Sequence, residues 1–332
     1  MDWTRLFKQL FITSLALCSA CVHFPQPQSA DAPPPLAFTA KESRDLLSRF
    51  APIISSENSQ ASFNRVGRVM ATLNDDNEEH IYVETKQSAY YALEKSFTSV
   101  NGKHYTNLIY RVHFEKVPYS LIPFHLTAGR NVGLIVIITL NEAEEPVLIT
   151  HVHSCGCYLG FTPTSYLDKT AYPDNWDWQK NTVFGEDLPV TLDLPVPFNT
   201  DSRLLVSLRD ATHRIKDIQH ITINDAKEHF TLLNSELLPI SALKALPLPD
   251  GRSTSFYHEE GWQKGYVKDA TKWNELFLMS WWTFDINVGR DKEFGPAEET
   301  GNVFYTSLKP WRRNASDMWP FAQFLDFWGW KL

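Results

Sequence analysis

Four side chains that bind metals or carry redox chemistry alternate along one short stretch of this chain. They are His151, His153, Cys155 and Cys157, in the run Thr150-His151-Val152-His153-Ser154-Cys155-Gly156-Cys157. Imidazole and thiolate together suit zinc or copper. Residues two apart on a β-strand share a face, so all four are expected to line one side of a strand that begins with Val147-Leu148-Ile149. Geometry limits how many can hold one ion. Four ligands on a straight strand spread over roughly 20 Å, far more than bonds of about 2.0–2.3 Å can gather. A single ion therefore needs a bend, which Gly156 permits, or a subset of the four. The economical sets are His151 with His153, or Cys155 with Cys157 and one histidine. His113, Glu115, His125 and His213 are candidates to complete them. Two other readings stand beside the metal one. A disulfide across Cys155-Gly156-Cys157 would suit thiol exchange. Two buried thiols and two hydrogen-bonded histidines would be ordinary packing of a sheet core.

Other chemistry is sparse. The chain has no Gly-x-Ser-x-Gly elbow and no phosphate loop, and its acidic pairs, such as Glu144-Glu145 and Glu298-Glu299, lie in polar segments that read as solvated surface. Thr150-His151-Val152-His153 resembles the first metal motif of the metallo-β-lactamase fold. Cys155 and Gly156 stand where that motif continues with Asp and His, and no later glycine-histidine-threonine segment follows, so its catalytic roles are not carried over.

The elements that must position the motif read as β. Residues 133–140 are nearly all apolar, which fits a strand buried on both faces, and the polar stretch 141–146 fits a hairpin connection into the motif strand. Residues 81–83 and 105–116 are further strands, and 204–208 with 215–223 form a second hairpin. Residues 41–50, 240–246, 269–284 and 321–328 show helical spacing. The stripe Trp273, Leu276, Phe277, Trp281 and Phe284 reads as core packing; Trp176 and Trp178, in a polar loop, are better placed to stack on a ligand, though the favoured reading there too is a loop packed back onto the body. The expected fold class is α+β: an antiparallel β-sheet core over about 80–225, flanking helices, and a more helical C-terminal third.

The N-terminus carries Arg5 and Lys8, a short apolar stretch over 10–17, and then Leu17-Cys18-Ser19-Ala20-Cys21. The apolar part is shorter than the ~20 residues of a membrane span. This layout resembles a bacterial lipoprotein signal, although Cys18 stands where leucine is usual. The resemblance implies a signal peptide over 1–20 and a palmitate-type lipid anchor on Cys21. A Pro-rich tether would follow over 21–38, and a single globular domain over 39–332. Val22 after the lipidated cysteine points to the outer membrane, facing the periplasm. Export would leave Cys155 and Cys157 as the remaining thiols in an oxidising compartment. A net charge of −8 without a basic run argues against nucleic acid and leaves membrane attachment to the lipid. The expectation is a periplasm-facing lipoprotein with a His/Cys site for zinc or copper, binding or sensing rather than catalysing. An envelope scaffold and a metal-dependent hydrolase are the alternatives.

Overall fold

A computed structural model describes residues 33–332. The expected signal peptide over 1–20, Cys21 and the first part of the expected tether lie outside the described residues. In chain order the main strands are β1 (Leu36–Ala40), β2 (Ile53–Ser56), β3 (Arg68–Leu73), β4 (Glu79–Glu84), β5 (Ala89–Thr98), β6 (His104–Val117), β7 (Gly129–Leu140), β8 (Pro146–His153), β9 (Gly160–Pro163), β10 (Asn181–Val183), β11 (Glu186–Leu188), β12 (Ser202–Leu208), β13 (Ile215–Thr222) and β14 (Thr231–Pro239). Ten of them form one sheet in the order β13-β12-β2-β1-β14-β5-β6-β7-β8-β9. The sheet is mixed and curls almost into a barrel. The short β10–β11 hairpin helps the closure: Glu186 on β11 pairs with Arg209 and Arg214, from the turn between β12 and β13.

This architecture corrects the α+β expectation. The antiparallel run β5 to β9 is present, but β1 pairs in parallel with β14, β14 with β5, and β2 with β12. Those partners lie far apart in sequence, and no local pattern marks them. Only 18% of the described residues are helical, and the C-terminal third is not a helical layer. The helices are α1 (Leu46–Arg49), α2 (Ile223–His229), α3 (Trp273–Thr283), α4 (Ala297–Thr300) and α5 (Phe321–Phe327). All but α3 run to seven residues or fewer. The 240–246 stretch is a 3-10 turn, Ile240–Lys244, leading into a short extended segment. Helical spacing there reflects side chains that anchor irregular chain onto the sheet, not long helices.

β7 shows how the sheet is stabilised. Leu134, Val136 and Ile138 point into the barrel core, with Phe38, Tyr90 and Leu108. Ile135 and Ile137 point outward, beneath a second core made by Phe294, Phe304, Phe321, Phe324 and Trp330 of the C-terminal segments. Both faces are covered, so the strand is apolar from Val132 through Ile138. Burying each such side chain contributes about 1.5–3 kcal/mol. The 141–146 connection is a tight turn in which Asn141 Oδ1 accepts from the amides of Ala143 and Glu145, and it hands the chain directly to β8.

Candidate functional site

β8 places His151 and His153 on its inward face. His153 sits opposite Leu134 on β7, and His151 lies between Val136 on β7 and Gly160 on β9. The strand ends at His153, so the alternation does not extend to the cysteines. The chain turns instead: the His153 amide donates to the Cys157 carbonyl at 2.9 Å, and the Gly156 amide donates to the His153 carbonyl at 2.8 Å. Gly156 has φ +89°, and a Cβ there would lie 2.1 Å from the Tyr305 carbonyl oxygen, so both backbone and space require glycine. The bend brings Cys155 and Cys157 together as a disulfide. The four residues therefore separate into an imidazole pair inside the barrel and a bonded sulfur pair outside it.

The imidazoles are held neutral. Burial pushes His151 down to about 4, partly offset by a backbone hydrogen bond at Tyr158. Burial also drives His153 well below its ordinary 6.5, reinforced by the Lys272 cation, while its Nε2–H donates to the His213 carbonyl at 3.0 Å. His213 stacks on Phe114, donates to the Phe63 carbonyl at 2.8 Å, and is lowered by burial to about 3. Among the described residues His151 Nε2 has no hydrogen-bond partner. It faces the Cα of Gly160, where a Cβ would lie 2.3 Å away. The remaining candidates do not converge on it. His113 accepts from Arg111 Nε at 3.0 Å beside Phe256, Glu115 accepts from Ser62, and His125 bonds the Pro118 carbonyl. Among the described residues no three His, Cys, Asp or Glu side chains come together as a metal centre.

The disulfide borders a largely apolar cavity of about 450 Å³, lined in part by Tyr158, Phe161, Trp176 and Met279. That volume suits a small ligand. Cys155 is buried and Cys157 half-buried on the cavity side. Trp176, singled out in the sequence, lines the cavity while packing on Tyr172 and Trp330; Trp178 stacks on Tyr172.

Behind the turn lies a buried polar cluster that sequence reasoning missed. Lys292 Nζ donates to the Cys155 carbonyl, and the Lys292 amide donates to the Ser154 carbonyl at 2.7 Å. Ser154 Oγ donates to Asp291 Oδ1 at 2.6 Å, and Lys272 Nζ reaches the same oxygen at 3.1 Å. Arg111 Nη1 donates to the Lys292 carbonyl at 2.8 Å. Burial lowers Lys292 to about 8, against the opposing pull of Asp285 and Asp291. Glu275 lines the cavity, and burial raises its carboxyl above the ordinary range. Among the described residues its Oε2 has no hydrogen-bond partner. Asp291 and Lys292 belong to Arg290-Asp291-Lys292-Glu293, four consecutive charged residues that are all buried. Such a run ordinarily faces water, which is why it gives no signal of a site.

The arrangement can do two things. A disulfide with one half-buried cysteine at a cavity is open to thiolate attack, with the Lys292 cation on the backbone of the buried one. The cavity can take an apolar body, with Glu275 as a polar contact. No protein-family model matches the chain, and the searches of curated proteins and of solved structures find no similar one.

Proposed function

We propose that this chain is a lipid-anchored envelope protein whose Cys155–Cys157 pair exchanges disulfides with thiols entering the neighbouring cavity. The observation that carries the reading is the asymmetry of the pair, both members of which line the cavity: Cys157 is half-buried, and Cys155 is buried with Lys292 on its carbonyl. An incoming thiolate attacks Cys157 Sγ, the S–S bond breaks, and Cys155 leaves as a thiolate beside Lys292. A second substrate thiolate then attacks the substrate sulfur of the mixed disulfide, releasing an oxidised substrate and a dithiol protein. Two electrons pass from substrate to protein. Lys292, whose Nζ lies on the Cys155 carbonyl, favours the thiolate that leaves.

Thiol counting and titration in dithiothreitol and glutathione buffers test this. The purified protein is expected to show no free thiols at the pair. The midpoint is expected within about −120 to −270 mV, the span of exchange-active pairs. Cys155→Ser is expected to trap glutathione on Cys157. A pair that stays oxidised below about −300 mV, or one found as two unreactive thiols, would overturn the reading.

The metal reading, zinc or copper on His151, His153, Cys155 and Cys157, first requires the disulfide to open. The unpartnered Nε2 of His151 is the observation in its favour. Elemental analysis of the anaerobically reduced protein decides it: near one equivalent of metal, lost in His151→Ala, would establish that reading. Anchoring rests on the N-terminal resemblance, with the outer membrane facing the periplasm as the proposed site. Labelled palmitate that fails to enter the wild-type chain, or that still enters Cys21→Ser, would remove it.

A further inference from the structure

We propose that the outer face of α3 and the loop over residues 119–124 form a docking surface for a phospholipid bilayer. α3 is inside out for a surface helix: it buries Glu275 and Thr283 and exposes its aromatic residues. Phe277 is 71% and Trp281 74% exposed, with Trp273, Leu278 and Trp282 beside them. The loop adds Leu121 at 84% and Ile122 at 91%, and is tied to the helix by Asn274 Nδ2, which donates to the His125 carbonyl at 3.0 Å. Neither segment presents a charge. The loop has none, and the one charged residue of α3, Glu275, is buried. A face of this size made of apolar side chains calls for an occupant.

Charge and chain length favour a bilayer. The segment that carries Lys309, Trp311, Arg312 and Arg313 meets the end of α3 through Arg313, whose Nη2 donates to the Thr283 carbonyl and pairs with Asp285 at 3.7 Å, so its exposed cations are Lys309 and Arg312. An uncharged, Trp-rich face bordered by cations complements the headgroup boundary, where indole rings settle and basic side chains meet anionic lipid. A second copy would set this cationic border against its own like. α3 is about 16 Å long, enough to lie in the interface, and no described helix is long and apolar enough to cross a membrane. The chain between Cys21 and Leu36 reaches at most about 50 Å. A lipid on Cys21 would keep the folded body within that reach of the membrane and raise its effective concentration there. The anchor supplies proximity only, so the surface is testable without it.

The full mature chain carrying Cys21→Ser, and so no lipid, is mixed with vesicles of phosphatidylethanolamine and phosphatidylglycerol. It is expected to float with them, and its tryptophan emission is expected to shift to the blue. Phe277→Ser with Trp281→Ser is expected to weaken partitioning by about tenfold or more, given the apolar area withdrawn. Leu121→Ser with Ile122→Ser is expected to do the same from the other segment. Both pairs are expected to leave the redox midpoint of Cys155–Cys157 unchanged, which separates this inference from the exchange reading. Absence of flotation, or flotation untouched by both pairs, would overturn the proposal. So would a dimer in sedimentation equilibrium that the same substitutions dissociate, because the face would then belong to a second copy.

Discussion

α3 and the Arg290-Asp291-Lys292-Glu293 run follow one another along the chain and reverse the usual partition of side chains. The helix exposes three tryptophans and a phenylalanine, while the run buries four charges. Leaving aromatic rings in water forgoes their burial energy, and burying charges costs several kcal/mol per ion unless partners repay it. Here partners are present for three of the four: Lys272 and Ser154 on Asp291, the Cys155 carbonyl on Lys292, and Lys244 on Glu293. For the rings of α3, no described part of the chain provides a cover. Folding thus spends its polar pairing behind the disulfide turn and leaves its apolar area for something outside the chain. Rules broken in this way concentrate where a chain does more than fold.

The largest effect that would break the comparison lies in the charged run. Asp291→Ala leaves Lys272 buried without its counter-charge, and is expected to cost about 3–5 kcal/mol in urea unfolding. A loss under about 1 kcal/mol would mean the cluster is not held by that pair. Next comes acid. His151 has a folded pKa of about 4 against an ordinary 6.5, so the unfolded chain binds the extra proton first. Its contribution is therefore complete above pH 6.5 and is lost as pH falls from there through about 4. That is roughly 3 kcal/mol for this residue at 1.36 kcal/mol per unit. His213, lowered to about 3, acts in the same direction. Melting temperature is expected to fall steadily between about pH 6.5 and 4, and a flat profile would show that these imidazoles stay accessible to protons.

Smaller still is the disulfide. It closes a loop of only three residues, and loop-closure entropy for that length is about 1.5 kcal/mol. Reduction is expected to lower unfolding stability by no more than about that, as an exchange centre requires; a much larger loss would recast the pair as a structural staple. The smallest effect sharpens the contrast from the other side. Trp281→Ser is expected to change stability by about 0.5 kcal/mol or less, because the ring packs little against the folded body. A large loss would return the α3 stripe to core packing.

Legibility followed how local each cause was. β6, β7, β8 and the β12–β13 hairpin are readable because their alternation and their turns lie within a few residues of one another. The bend at Gly156 was open to inference, but its outcome, a bonded sulfur pair detached from the imidazoles, depended on Tyr305 lying against the turn. The mixed sheet was hidden because β1 and β2 look like short fragments until β14 and β12 pair with them. The spacing of Trp273, Phe277 and Trp281 correctly indicates a helix, and it says nothing about which side faces water. Lys272, Glu275, Asp291 and Lys292 were missed because each reads as surface on its own, and only the fold gathers them around Ser154 and Cys155.

One pairing also sets the order in which the molecule can be made. β1 is an interior strand of the large sheet, and its parallel neighbour begins at Thr231, opposite Leu36. A chain delivered N-terminus first would present β1 long before β14 emerges. Through that interval the Leu36–Ala40 amides and carbonyls on that side stay without their native ladder. The sheet is then completed late, by contacts of high sequence separation, which fold slowly and expose strand edges to aggregation. Synthesis of such a chain favours an escort that shields its first strand until the last third has arrived.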